Sequence, residues 1–163
     1  VTVVLMCGPA GAGKSTAAAR LERDGYVRLA FDERAWELGH RDHPLPATVA
    51  AAVHADLHAT LLALVAEGRD VVVDSSFWSR ASRDAYRELL APAGIVPVVH
   101  VLDTPREVVL ARLARRTGEG PHDVPVRPDR ALAYLDGFER PTPDEGPLVV
   151  VDGTLRASGD VSG

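Results

Sequence analysis

The rarest residues of this 163-residue sequence narrow the field first. Cysteine occurs once, at Cys7, so no internal disulfide can form and a fold stapled by cystines is excluded. A lone cysteine inside an apolar run reads as a small buried strand residue. Lysine is equally scarce: of 18 basic residues only Lys14 is not arginine, which marks that position as one where arginine was passed over. Apolar runs are short, and none approaches the roughly 20 residues of a membrane span. The stretch after Val1 lacks the basic flank and small-residue cleavage site of a signal peptide. No membrane partner and a cytoplasmic location are therefore the expectation. The net charge of −5 gives the surface no general attraction for polyanions, so nucleic acid is disfavoured as a partner.

What is present suits one soluble globular domain. Hydrophobic residues make up 46% and charged residues 25%, far from a disordered composition, and the length fits a single core. Residues 1–155 are expected to form that domain, and 156–163 a disordered polar tail. The run Val3 to Cys7 reads as a strand buried on both faces, followed by a helix over 14–23. A strand over 27–31 ends at Asp32, and 33–46 reads as a turn of helix followed mostly by loop. An alanine-rich helix over 47–67 stops at Gly68. A strand over 71–73 ends at Asp74, a helix covers 80–91, and 95–102 forms a strand ending at Asp103. Thr104 and Pro105 read as the N-cap and first residue of a helix to about Thr117. Residues 117–127 read as a mobile lid hinged at Gly118 and Gly120, followed by a helix over 128–138 and a last strand ending at Asp152. Five strands alternating with helices predict a three-layer α/β/α sandwich around a mostly parallel sheet.

The chemistry concentrates in Gly8-Pro9-Ala10-Gly11-Ala12-Gly13-Lys14-Ser15, which matches G-x-x-x-x-G-K-[ST], the phosphate-binding loop of P-loop NTPases. It lies between a buried strand and a helix, where glycines let backbone N–H groups turn toward phosphates and the helix N-terminus adds partial positive charge. The nucleotide contacts predicted here are Gly8, Ala10, Gly11, Ala12, Gly13, Lys14, Ser15 and Thr16, with ATP and Mg²⁺ as the cofactors. Lys14 is placed at the β- and γ-phosphates and Ser15 on the metal. Four strand ends carry an aspartate, and in an open α/β sheet ligands lie outside the carboxyl ends of the strands. Asp103 before a helix start and Asp152 before Gly153 have structural explanations. Asp32 and Asp74 have none, which makes them the functional candidates, Asp74 for metal or acceptor.

This loop, together with Phe31-Asp32-Glu33-Arg34, Val73-Asp74-Ser75-Ser76 with Arg83, Leu102-Asp103-Thr104-Pro105, and Arg112, Arg115 and Arg116, resembles the polynucleotide 5′-hydroxyl kinase, zeta-toxin and chloramphenicol-phosphotransferase group of P-loop kinases. The resemblance runs from residue 3 to about 152. It implies a nucleoside-kinase-like fold and transfer of the γ-phosphoryl group of ATP to a hydroxyl of a small-molecule acceptor. A polynucleotide 5′-end is the alternative acceptor, and a nucleotide-binding switch without acceptor is a further one. Asp32 then corresponds to the base toward the acceptor, and Arg112 and Arg116, four apart on one helix face, to the residues that reach the ATP phosphates. Arg115 is a rival for that role. Arg34, Asp74 and Arg83 join Asp32 on the acceptor side, with Arg28 as an alternative to Arg34. The chain departs from the polynucleotide kinases at Ala35, where a basic residue is wanted, and at Ser75-Ser76-Phe77-Trp78. Phe77 and Trp78 either stack on a ring or pack, and packing is the expectation for both, as it is for Trp36. His54 and His58, a helical turn apart, lack the glutamate of a zinc peptidase and read as a solvated or acceptor-facing helix side. The polar run His40-Arg41-Asp42-His43-Pro44 is a candidate acceptor contact.

Overall fold

The computed structural model describes residues 1–41, 45–121 and 124–154. Asp42, His43, Pro44 and the expected tail lie outside them, as do His122 and Asp123 of the expected lid.

Val3–Cys7 forms β1, and Lys14–Arg23 forms α1. Then come β2 (Val27–Ala30), α2 (Phe31–Glu37), α3 (Ala47–Ala66), β3 (Val71–Asp74) and α4 (Arg80–Leu90). The chain continues through β4 (Val98–Asp103), α5 (Arg106–Ala114), α6 (Pro128–Gly137) and β5 (Leu148–Asp152). All strand pairs are parallel, in the order β2-β3-β1-β4-β5. The alternation of a fully buried strand explains the layers. Val3, Leu5 and Cys7 of β1 pack with Leu61 of α3 and Tyr86 and Leu90 of α4. Val4 and Met6 point the other way, onto Ala17 and Ala18 of α1, Val109 and Leu113 of α5 and Ala131 of α6. The sheet is thus covered on both faces, as parallel sheets are.

Three boundaries differ from expectation for local reasons. The second strand ends one residue early because α2 starts at Phe31, and Asp32 and Glu33 in its first turn suit the positive end of a helix. Asp32 is therefore a helix residue, and the helix runs on to Glu37 at the head of the expected loop. β4 begins only at Val98, after Pro97, which has no N–H to give to a ladder. At α5 the N-cap is Pro105, and Thr104 uses its hydroxyl elsewhere, donating to the carbonyl of Ala12 at 2.6 Å.

The expectation that no apolar stretch reaches membrane-span length does not hold. α3 is 20 residues long with a stretch of mean hydropathy 1.7, enough by length and composition to cross a membrane. Its Val53, Leu57 and Leu61 are buried in the fold, while His54 and Asp56 in mid-helix contact α2.

Candidate functional site

The loop between β1 and α1 sits at the centre of the sheet's carboxyl edge, because β1 is the middle strand. It is held from both sides. On the β3 side, Gly8 N donates to the carbonyl of Ser76 at 3.1 Å. On the β4 side, Arg112 Nη1 donates to the carbonyl of Gly11 at 3.1 Å, beside the Thr104 bond to Ala12. Gly11 and Gly13 adopt φ of 82° and 102°, and a Cβ at Gly13 would stand 2.9 Å from the carbonyl oxygen of Gly153. Both positions thus need glycine for conformation and for close approach. With its carbonyls bound outward, the loop keeps its amides available: among the described residues, no backbone acceptor takes the N–H groups of Gly11, Gly13, Lys14, Ser15 or Thr16. The N-terminus of α1 has no side-chain cap either. Such a set of donors fits phosphate oxygens.

Beside the loop lies a cavity of about 330 Å³. Pro9, Ala10, Lys14 and Arg116 line one part of it. Phe31 and Asp32 enter from α2, His54 from α3, Ser75, Ser76 and Trp78 from the turn after β3, and Arg130, Tyr134 and Phe138 from α6 and its end. All the strand-derived walls except the loop itself come from the β2–β3 side. β3 stands between β2 and β1, so Asp32 reaches the cavity from two strands away from the loop rather than from a neighbouring strand. Lys14 Nζ makes one hydrogen bond, to the carbonyl of Pro9 at 3.3 Å. His54 lies against Phe31 with ring centroids 4.7 Å apart, and His58 meets Tyr86 edge-on at 4.8 Å. Burial pushes the His54 imidazole below its ordinary pKa, and a charge on His58 would push it further; burial also lowers His58. Among the described residues no three His, Cys, Asp or Glu side chains cluster as a metal site.

Several predicted residues stand elsewhere. Arg83 is no acceptor contact: it is fully buried, its Nε and Nη2 donate to Glu145 at 2.9 and 3.0 Å, and its Nη1 donates to the carbonyl of Phe77 at 2.8 Å. Arg34 is also turned from the cavity. It grips Asp56 of α3 at 2.7 Å and Glu37 at 3.1 Å, clamping α2 to α3 and so holding Asp32 near His54. Asp74 is 6% exposed and bonded to Arg28 of the adjacent strand at 3.0 Å, so neither a metal nor an acceptor meets an unengaged carboxylate there. Arg112 and Arg116 do not share a helix face, since α5 ends at Ala114; Arg112 braces the loop from behind, and only Arg116 lines the cavity. Arg116 also donates to the carbonyl of Val124 at 3.2 Å, and Arg115 is exposed. Cys7 is buried as expected, with its thiol pushed up to about 11 by burial. Trp36 carries the Arg41 guanidinium 3.7 Å above its ring.

Sequence reading missed Arg130 and Tyr134. The two are bonded, Nη2 to the phenol oxygen at 3.3 Å, and their spacing of four on α6 was the available signal.

Fold and loop together define the class: a P-loop domain with a parallel α/β/α sandwich. The chain belongs to the AAA domain family, whose model matches residues 3–141. No curated protein matches it. Among solved structures it is similar to an unliganded sugar kinase of Janibacter sp., at 21% identity over 96% of this chain and 87% of that one, TM-score 0.69. It is also similar to a gluconokinase of Sinorhizobium meliloti, at 24% identity over 95% and 83%, TM-score 0.60. A third is the APS kinase CysC of Mycobacterium tuberculosis in complex with AMPPNP and APS, at 20% identity over 93% and 88%, TM-score 0.61.

Proposed function

We propose that this chain is an ATP-dependent phosphotransferase whose acceptor is a hydroxyl of a small molecule. The observation that carries the reading is the single cavity shared by Lys14 and Arg116, next to the unengaged loop amides, and by Asp32. The amides, Lys14 and Arg116 bind and neutralise the phosphates, and Arg116 directly precedes the expected lid. Asp32 orients the acceptor hydroxyl and takes its proton as the oxygen attacks the γ-phosphorus and the bond to the β-bridging oxygen breaks. Mg²⁺, when bound, supplies positive charge across the phosphate oxygens. The Ser15 hydroxyl, a hard oxygen donor, would hold it without a carboxylate cage, while Asp74 stays with Arg28.

A small acceptor is favoured over a polynucleotide end because the arginines expected on the acceptor side are already engaged by carboxylates. Arg28, Arg34 and Arg83 each hold a carboxylate. By their names the sugar kinase, gluconokinase and APS kinase among its structural relatives stand on this side, and the Pnkp1/Rnl/Hen1 RNA repair complex, also similar, on the other.

Asp32→Asn tests the assignment, since it preserves size and removes the proton acceptor. Transfer to the acceptor should fall about a hundredfold or more, with little change in ATP·Mg²⁺ affinity. Transfer at the wild-type rate would remove Asp32 as the base.

A further inference from the structure

The turn after β3 contains Phe77 at φ 47°, the one non-glycine residue with positive φ among the described residues. An aromatic side chain is disfavoured there, so the conformation has to be imposed by its surroundings. Those surroundings are specific. The carbonyl of Phe77 accepts from Arg83 Nη1 at 2.8 Å and from Cys7 Sγ at 3.4 Å, and the carbonyl of Trp78 accepts from Glu139 N at 2.7 Å. Arg83 is itself locked by Glu145. The kink splits the aromatic pair. Phe77 goes into the core, 3% exposed and edge-on to Tyr86, whereas Trp78 is turned out over the cavity and left 45% exposed. One edge of the indole meets Gly137, where an added Cβ would lie 3.9 Å from Cζ3.

Hydrophobicity alone would bury an indole, and packing alone needs neither the strained neighbour nor the backbone ties on both sides of it. A flat, rigid, half-open ring held at a cavity wall, in the same cavity as the hydroxyl-binding groups Asp32, Ser75, Ser76 and His54, has the makings of a stacking surface. We propose that Trp78 is the platform on which the acceptor lies, and that the acceptor is a ring compound, with a flat C–H or π face toward the indole and a hydroxyl at its rim toward Asp32. Sugars in ring form and nucleosides share that chemistry. This rests on the phosphotransferase reading. Arg83, expected at the acceptor, acts one step removed as the residue that positions the platform.

The test uses the whole chain with ATP and Mg²⁺. ADP release is measured with glucose, ribose and adenosine as ring compounds and with glucitol and ribitol as acyclic controls, for wild type, Trp78→Ala and Trp78→Phe. The proposal expects ring compounds to stimulate release and the alditols not to. Trp78→Ala should raise the KM of the active ring compound about tenfold with ATP affinity unchanged, and Trp78→Phe should restore it to within about threefold. Whether sugars or adenosine respond identifies which source of the ring is used. Stimulation by alditols, or an unchanged KM in Trp78→Ala, overturns the platform and leaves the phosphotransferase standing. Silence from every hydroxyl compound overturns both.

Discussion

Arginine 83 shows how one residue can be mistaken from its neighbours in sequence. It follows an Asp-Ser-Ser turn at a strand end, where a cation is expected to face a ligand, yet the fold closes a carboxylate over it from a segment 62 residues away. Glu145, 3% exposed in its side chain, is held down to about 2, first by its hydrogen bonds from Arg83, against the opposing effect of burial. A carboxylate depressed in the folded state stabilises the fold above its unfolded value. This contribution should therefore be complete above about pH 4.5 and be lost as the pH falls toward about 2. Arg83→Met leaves that carboxylate buried without its main partner, and urea unfolding at neutral pH should show a loss of about 3–5 kcal/mol. Adding Glu145→Gln to it should recover part of the loss. If the single variant unfolds like wild type, the pair is not holding the turn.

Among elements, α3 joins the site to the core through rings. His54 faces the cavity and stacks on Phe31, His58 follows with its centroid 6.2 Å away, and Tyr86 and Phe77 continue the contact into the interior. Both imidazoles are lowered, so the unfolded chain takes up protons before the folded one does. The fold is then at full strength above about pH 6.5 and loses stability as the pH falls below that value. Melting temperatures followed from about pH 8 to about pH 5 should drop, and the double variant His54→Phe, His58→Leu should flatten the drop. An unaltered slope in that variant would assign the pH dependence to His100, which burial also lowers.

For the whole molecule, the phosphate loop and the core are separable. Lys14 contributes one hydrogen bond, to the loop's own Pro9, so Lys14→Ala should melt with wild type while ATP binding or turnover falls about a hundredfold or more. A coincident loss of stability would mean the lysine serves the fold. The same separability governs what was legible in the sequence. β1, α1, α3, β3 and α4 lie within a residue or so of their expected positions, and the loop motif identifies the nucleotide end of the site. These are local signals: apolar period, glycine stops, and a turn whose φ angles only glycine adopts. The strand order was not local, and it decides that β3 separates Asp32 from the loop. Ion pairs between distant segments were not local either. Which arginine points at a ligand depends on which carboxylate the fold brings to it, and Arg28, Arg34 and Arg83 each met one. Sequence alone therefore determined the class of fold and the phosphate end, because both are written within short windows. Only the tertiary structure decided the rest of the cavity wall, where Arg116 and Arg130 stand and a strained turn sends Phe77 inward and Trp78 out.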